Sequence, residues 1–85
     1  MLTPDTEFTG DLLRTLRESQ GVRLGDMVKR TKISRAYLQA IEEEDWSSLP
    51  AAVYVRGFIT EYAKYLELDP EQATRTFLLR SPTSV

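Results

Sequence analysis

Two sets of side chains in this sequence have types and spacings suited to recognition chemistry. The first is Tyr54, Arg56, Gly57 and Phe58, followed by Tyr65. Aromatic side chains and arginine are the classes most enriched at protein-binding hot spots, because they combine large apolar faces with a polar tip. The second is Lys29, Arg30, Lys32, Arg35 and Gln39. Arg35 has the donor geometry for a bidentate contact with guanine and Gln39 for one with adenine, while the remaining cations suit phosphates or an acidic protein surface. Catalysis has little to work with. The chain has no His and no Cys, so the commonest proton shuttle and metal ligand, the thiolate nucleophile and any disulfide framework are missing. The run Glu42-Glu43-Glu44-Asp45 is a poor metal site, since consecutive helical residues project around the axis rather than converging on one cation. We therefore expect a non-enzymatic chain that uses no metal and no cofactor.

Both sets need helices to position them. Leu12, Leu13 and Leu16 have helical spacing from about Thr9 or Gly10 to Gln20, with Gly21 as a left-handed stop. Leu24 to Thr31 forms a second helix with Met27 and Val28 inward, Lys32-Ile33 turns, and Ser34 caps a third that runs to about Glu43 through Tyr37, Leu38 and Ile41. Asp45 to Pro50 is a loop whose Trp46 and Leu49 fold back on the core. A fourth helix spans about Ala51 to Leu66. A fifth follows the cap Asp69 from Pro70 to about Arg80, through Ala73, Phe77 and Leu78. The fold class is thus all-α, five helices around one core, with 1–8 as an N-terminal tail, 9–80 as the domain and 81–85 as the start of a linker in a longer protein. At 85 residues such a domain buries only about 60–65% of the surface of its unfolded chain.

The fourth helix carries more apolar surface than one core needs. At about 100° per residue, Val55, Ile59, Tyr62 and Leu66 share one face. Tyr54, Phe58 and Tyr65 form a stripe beside it, widening the apolar arc to roughly 180° where about 100° suffices. Either the fifth helix covers the excess through Phe77 and Leu78, or the excess is a docking surface; Tyr54 and Phe58 sit near the helix start, away from that return. Gly57 reads equally as a spot of close helix packing, and Arg56 as an ordinary solvated side chain.

Charge is unevenly spread. Between Arg23 and Ile41 five basic residues stand against Asp26 alone, so this segment is +4 and the rest of a −2 chain is −6. A pI near 5.1 is low for a DNA binder. A carboxylate about 6–8 Å from a phosphate costs roughly 0.5–0.7 kcal/mol even in water. Four of them in the solvated run Glu42–Asp45 would offset several lysine contacts. The longest apolar run, Ala51 to Val55, ends at Arg56, far short of the roughly 20 residues that cross a bilayer. The N-terminus has neither the basic nor the apolar region of a secretory signal, and a bacterial cytoplasmic setting suits the composition.

The segment TKISRAYLQAIEEEDWSSLPAAVYVRGFITEYAKYL resembles the N-terminal helix-turn-helix module of RodZ-type proteins. The shared pattern is a TKI turn, a YLxAIEE helix, Trp or Phe before LP, and an aromatic-x-RGF/Y helix ending YAxxL. The likeness covers about Thr9 to Phe77, and YVRGFITEYAKYL is its most specific part. It implies a repressor-like fold whose role is to bind the actin-like filament protein MreB on the cytoplasmic side of a membrane, with the filament-contacting aromatics at Tyr54 and Phe58 and with Arg56 and Tyr65 at the periphery. The alternative is a sequence-specific transcriptional regulator reading DNA through Lys29, Arg30, Lys32, Arg35 and Gln39.

Overall fold

A computed structural model describes residues 2–82 and contains five α-helices among them: α1 (Gly10–Ser19), α2 (Leu24–Thr31), α3 (Arg35–Glu43), α4 (Ala52–Tyr65) and α5 (Pro70–Leu78). The all-α, five-helix expectation is met. The loop after α3 contains a 3-10 turn at Trp46–Ser48 that the sequence did not signal, and α5 ends before Arg80. Part of the expected linker, Thr83 to Val85, lies outside the described residues, as does Met1.

The helix starts are built as their residues dictate. Thr9 Oγ1 accepts from Leu12 N at 3.0 Å, Ser34 Oγ from Tyr37 N at 3.2 Å, and Asp69 Oδ1 from Glu71 N and Gln72 N at 3.1 and 3.2 Å. Each such cap stabilises by about 1 kcal/mol. The ends of α1, α3 and α4 close in the same way, with Val22 N, Asp45 N and Leu68 N donating to Arg17 O, Ala40 O and Ala63 O. This closure requires a left-handed residue one position earlier. Gly21 supplies it without strain, whereas Glu44 and Glu67 adopt φ of 53° and 59°.

Burial follows the predicted faces. Leu13, Met27, Leu38, Ile41, Val55, Ile59, Tyr62, Leu66 and Phe77 are all sealed from solvent. α5 lies along α4, while α3 contacts α1 and α2. Trp46 folds back onto Phe77 with ring centroids 5.1 Å apart. The segment before α1 is tied down more firmly than a tail: Phe8 is buried, its N–H donates to Thr76 Oγ1 at 2.9 Å, and Gln72 Nε2 donates to Thr3 O and Thr6 O.

Two close contacts fix α1 against α3. A Cβ on Gly10 would stand 2.4 Å from Ile41 O and 2.5 Å from Glu42 O, so no other residue fits where the first turn of α1 meets the last turn of α3. The second is a buried polar cluster. Arg17 reaches Glu42 through Nε at 2.6 Å and Nη2 at 3.0 Å, and Nη1 donates to Val22 O at 2.8 Å. Tyr62 OH of α4 donates to the same carboxylate at 2.6 Å. Among the described residues no buried side-chain polar atom lacks a partner, as such a cluster requires.

Burial, reinforced by the adjacent Glu42 carboxylate, holds the Tyr62 hydroxyl far above its ordinary pKa of 10.0. Because the folded value is the higher one, stability is intact below the unfolded pKa and falls as pH rises past it, by at most about 1.4 kcal/mol per pH unit. We expect Tyr62→Phe to cost about 1–2 kcal/mol at neutral pH and to flatten this alkaline decline. Urea unfolding across a pH series measures both, and identical alkaline limbs in the two proteins would contradict the assignment.

Candidate functional site

The first turns of α4 emerge from Leu49-Pro50 with no side-chain cap, and Ala51 to Tyr54 are all exposed. Val53 is 70% and Tyr54 61% exposed. These are unusual values for large apolar side chains in a domain that buries Val55 and Ile59 on the same helix. Phe58, one turn on, is partly buried. It stacks on Tyr37 of α3 with centroids 5.3 Å apart and planes inclined by 26°. The cover for this part of the stripe is thus α3, whereas the sequence offered only α5.

Tyr54, Phe58, Gly57 and Arg56 line one open groove of about 670 Å³, closed on its other side by Thr31, Lys32 and Ile33. Tyr65 is not part of it. It lines a separate groove of about 390 Å³ toward the other end of α4, with Arg30, Glu61 and Lys64. Arg56 is exposed and also borders a groove toward α5 with Thr60, Thr74 and Arg75. Gly57 departs from one of its two sequence readings. A Cβ there would meet nothing within 4 Å, so close packing inside the domain is not its purpose. Val53 is absent from the aromatic stripe expected from the sequence, yet projecting α4 at 100° per residue sets it well away from Val55 and signals its exposure.

Lys29, Arg30, Lys32, Arg35 and Gln39 are all exposed. None of them takes part in an ion pair within 4.0 Å among the described residues. Lys32 sits in a left-handed cap at φ 64° and lines the aromatic groove, so the basic face and that groove meet there.

The acidic run requires correction. It was expected to be a solvated face opposing DNA, but two of its four carboxylates, Glu42 and Glu44, are paired with cations of the domain. Glu42 is 7% exposed and belongs to the Arg17–Tyr62 cluster. Glu44 accepts from Gly10 N at 3.0 Å and from Arg80 Nε at 2.8 Å. Asp45 is exposed but accepts from the hydroxyls of Ser48 and Ser47, which hold its carboxyl below the ordinary range. Glu43 alone of the four makes no hydrogen bond or ion pair among the described residues. The charge argument against DNA therefore rests on Glu43 and Asp45, which stay exposed without a cation partner among the described residues. Among the described residues no helix is long and apolar enough to cross a membrane, and no group of three His, Cys, Asp or Glu could hold a metal ion.

Comparison with known proteins adds a family context. A helix-turn-helix domain family model matches residues 12–73. The chain is 39% identical over 62 residues to the cytoskeleton protein RodZ of Streptococcus pneumoniae, covering 73% of this chain and 22% of that protein. It is 43% identical over 49 residues to the uncharacterized membrane protein YmfM of Bacillus subtilis, covering 58% of this chain and 17% of the relative. An uncharacterized protein of Haemophilus influenzae is 31% identical over 72 residues, 79% of this chain and 23% of its own length. The chain therefore spans about a fifth of the curated relatives it matches. No solved structure matches it.

The exposures of Tyr54 and Phe58 separate their roles in stability. Removing the ring of Tyr54 leaves no cavity, so Tyr54→Ala should change unfolding free energy by no more than about 0.5 kcal/mol. Phe58→Ala deletes the stack on Tyr37 and should cost about 1–3 kcal/mol, less than a fully buried phenylalanine. Equal losses in chemical denaturation would mean that Tyr54 is packed in solution.

Proposed function

The chain belongs to the RodZ-type helix-turn-helix family, and on that premise we propose that it is a non-catalytic docking module that seats an actin-like filament protein on the first half of α4. One observation carries this reading: Val53 and Tyr54 are left uncovered beside a partly covered Phe58, on a helix whose opposite face is fully used by the core. Burying two such side chains is worth about 1.5–3 kcal/mol each, which suits hot-spot anchors. The groove they share with Ile33 gives those anchors a shaped recess, and Lys32 and Arg56 border it with unpaired positive charge. The matching surface on the partner is an apolar projection accompanied by carboxylates. Complementarity of this kind accelerates encounter and fixes orientation more than it adds affinity.

A relative named as a cytoskeleton protein favours a filament as the partner, and one named as a membrane protein favours a parent anchored in a membrane with this module on the cytoplasmic side. Tyr54 and Phe58 are the anchors in this proposal. Arg56 supplies rim charge, and Tyr65 lies outside the main contact.

A second reading, binding of duplex DNA through α2 and α3, is favoured by one specific observation. The cations Lys29, Arg30, Lys32 and Arg35 are exposed and unpaired, while two of the four carboxylates in the acidic run beside them, Glu42 and Glu44, are paired internally with Arg17 and Arg80. In helix-turn-helix proteins the residues at the start of the second helix of the motif reach base edges. Arg35 and Gln39 occupy that side of α3.

The docking reading is tested by co-sedimentation with polymerised MreB-class filaments. The wild-type chain should pellet with the polymer, and Tyr54→Ala should weaken binding by about tenfold or more. Equal recovery of both would sink the proposal. The DNA reading is tested separately with a labelled random duplex. Binding by three or four phosphate contacts should weaken with a log–log salt slope of about −3 to −4, and no binding at low salt removes that reading.

A further inference from the structure

Gly57 lies in the interior of α4, where glycine is the least favourable residue apart from proline. Two reasons normally keep a glycine in such a place, and neither holds. Its φ is not in the left-handed range, and a Cβ would have open space on every side, with nothing within 4 Å. The chain gives up helix stability at this position without any return inside the domain. The vacancy in side-chain bulk is also not randomly placed. Gly57 lines the groove that holds Tyr54 and Phe58, and Val53, four residues before it and on the same side of the helix, is the most exposed large apolar residue of α4.

We infer that the partner docked on α4 brings its own main chain or a small side chain directly against Gly57, which makes this residue a determinant of which surface fits. The inference rests on the docking reading and deepens it. Tyr54 and Phe58 would form one wall of the contact, Val53 its near end, and the bare backbone of Gly57 the floor on which the partner rests. The occupant is a protein surface with carboxylates at its edge. Lys32 and Arg56 border the same groove without counter-ions, while Glu61, the acid that lines it, lies 3.9 Å from Lys64. A second copy of this chain fits less well. An isologous pairing over Gly57 would set the cations of one copy against those of the other, and like charges across an interface oppose association.

The test uses this chain with Gly57→Ala, Gly57→Leu and Tyr54→Ala, each followed by thermal unfolding, filament co-sedimentation and sedimentation velocity. Gly57→Ala should raise Tm by about 2–8 °C and yet bind filaments more weakly. Gly57→Leu should stay folded and lose about tenfold or more in affinity, because its side chain stands where the partner must sit. If Gly57→Leu binds like the wild type while Tyr54→Ala does not, the close approach at Gly57 is wrong and the docking surface remains. If neither change affects binding, the docking reading fails and takes this inference with it. A wild-type dimer that Gly57→Leu converts to monomer would overturn the inference in favour of a second copy.

Discussion

Glu42 is the one carboxylate on which the relative placement of three helices depends. Its two oxygens take a bidentate contact from Arg17 of α1 and a hydroxyl from Tyr62 of α4, while its own backbone belongs to α3. All three side chains are almost wholly buried. Removing one partner from such a cluster strands the rest without water, at a cost of about 3–5 kcal/mol for a buried ion pair. That is a large fraction of the roughly 5–10 kcal/mol that a domain of this size has in total. The intact cluster need not stabilise more than three well-packed apolar side chains would. Its geometric consequence is firmer: a planar guanidinium and a carboxylate meet in one orientation, and the hydroxyl sets the rotation of α4 about its axis.

That rotation decides what α4 presents to solvent. With Tyr62 turned inward, Val55, Ile59 and Leu66 follow it into the core, and Val53 and Tyr54 are carried outward by the helical repeat. The exposed apolar patch is therefore a consequence of how the core is locked, not a local failure of packing. Tyr37 from α3 shields one face of Phe58, which leaves the ring held in place while part of it stays reachable. Rigid aromatics of this sort lose little conformational entropy when a partner covers them.

How much of this could be read from the residues divides along a physical line. Periodicity and capping are local, and they identified all five helices, the caps Ser34 and Asp69, the start of α1 near Thr9 and the buried face of α4. Side-chain partnership across helices is not local. Nothing in the run Glu42-Glu43-Glu44-Asp45 distinguishes the acid that is buried against Arg17 from the one that faces water, because the distinction is made by α1 and α4. The same holds for Gly10, whose need for a bare backbone comes from the carbonyls of Ile41 and Glu42. Of the candidate site, Tyr54, Arg56 and Phe58 were legible as neighbours on one helix. That Tyr65 belongs to a different groove follows from the length of α4, since Tyr65 is the last residue of that helix and Tyr54 lies near its first.

The two candidate surfaces are not independent. The turn between α2 and α3 contributes Thr31, Lys32 and Ile33 to the aromatic groove, and the same turn carries the cation that joins Lys29, Arg30 and Arg35 into a basic face. Lys32 holds its position through a left-handed backbone rather than a flexible loop, with its N–H bonded to Val28 O at 2.9 Å. A protein seated on Tyr54 and Phe58 would therefore cover or engage Lys32 and withdraw it from any phosphate. A module of this design can keep the helix-turn-helix frame while the binding energy moves from the α2–α3 face to α4, because the frame is set by Arg17, Glu42 and Tyr62, none of which lies on either surface.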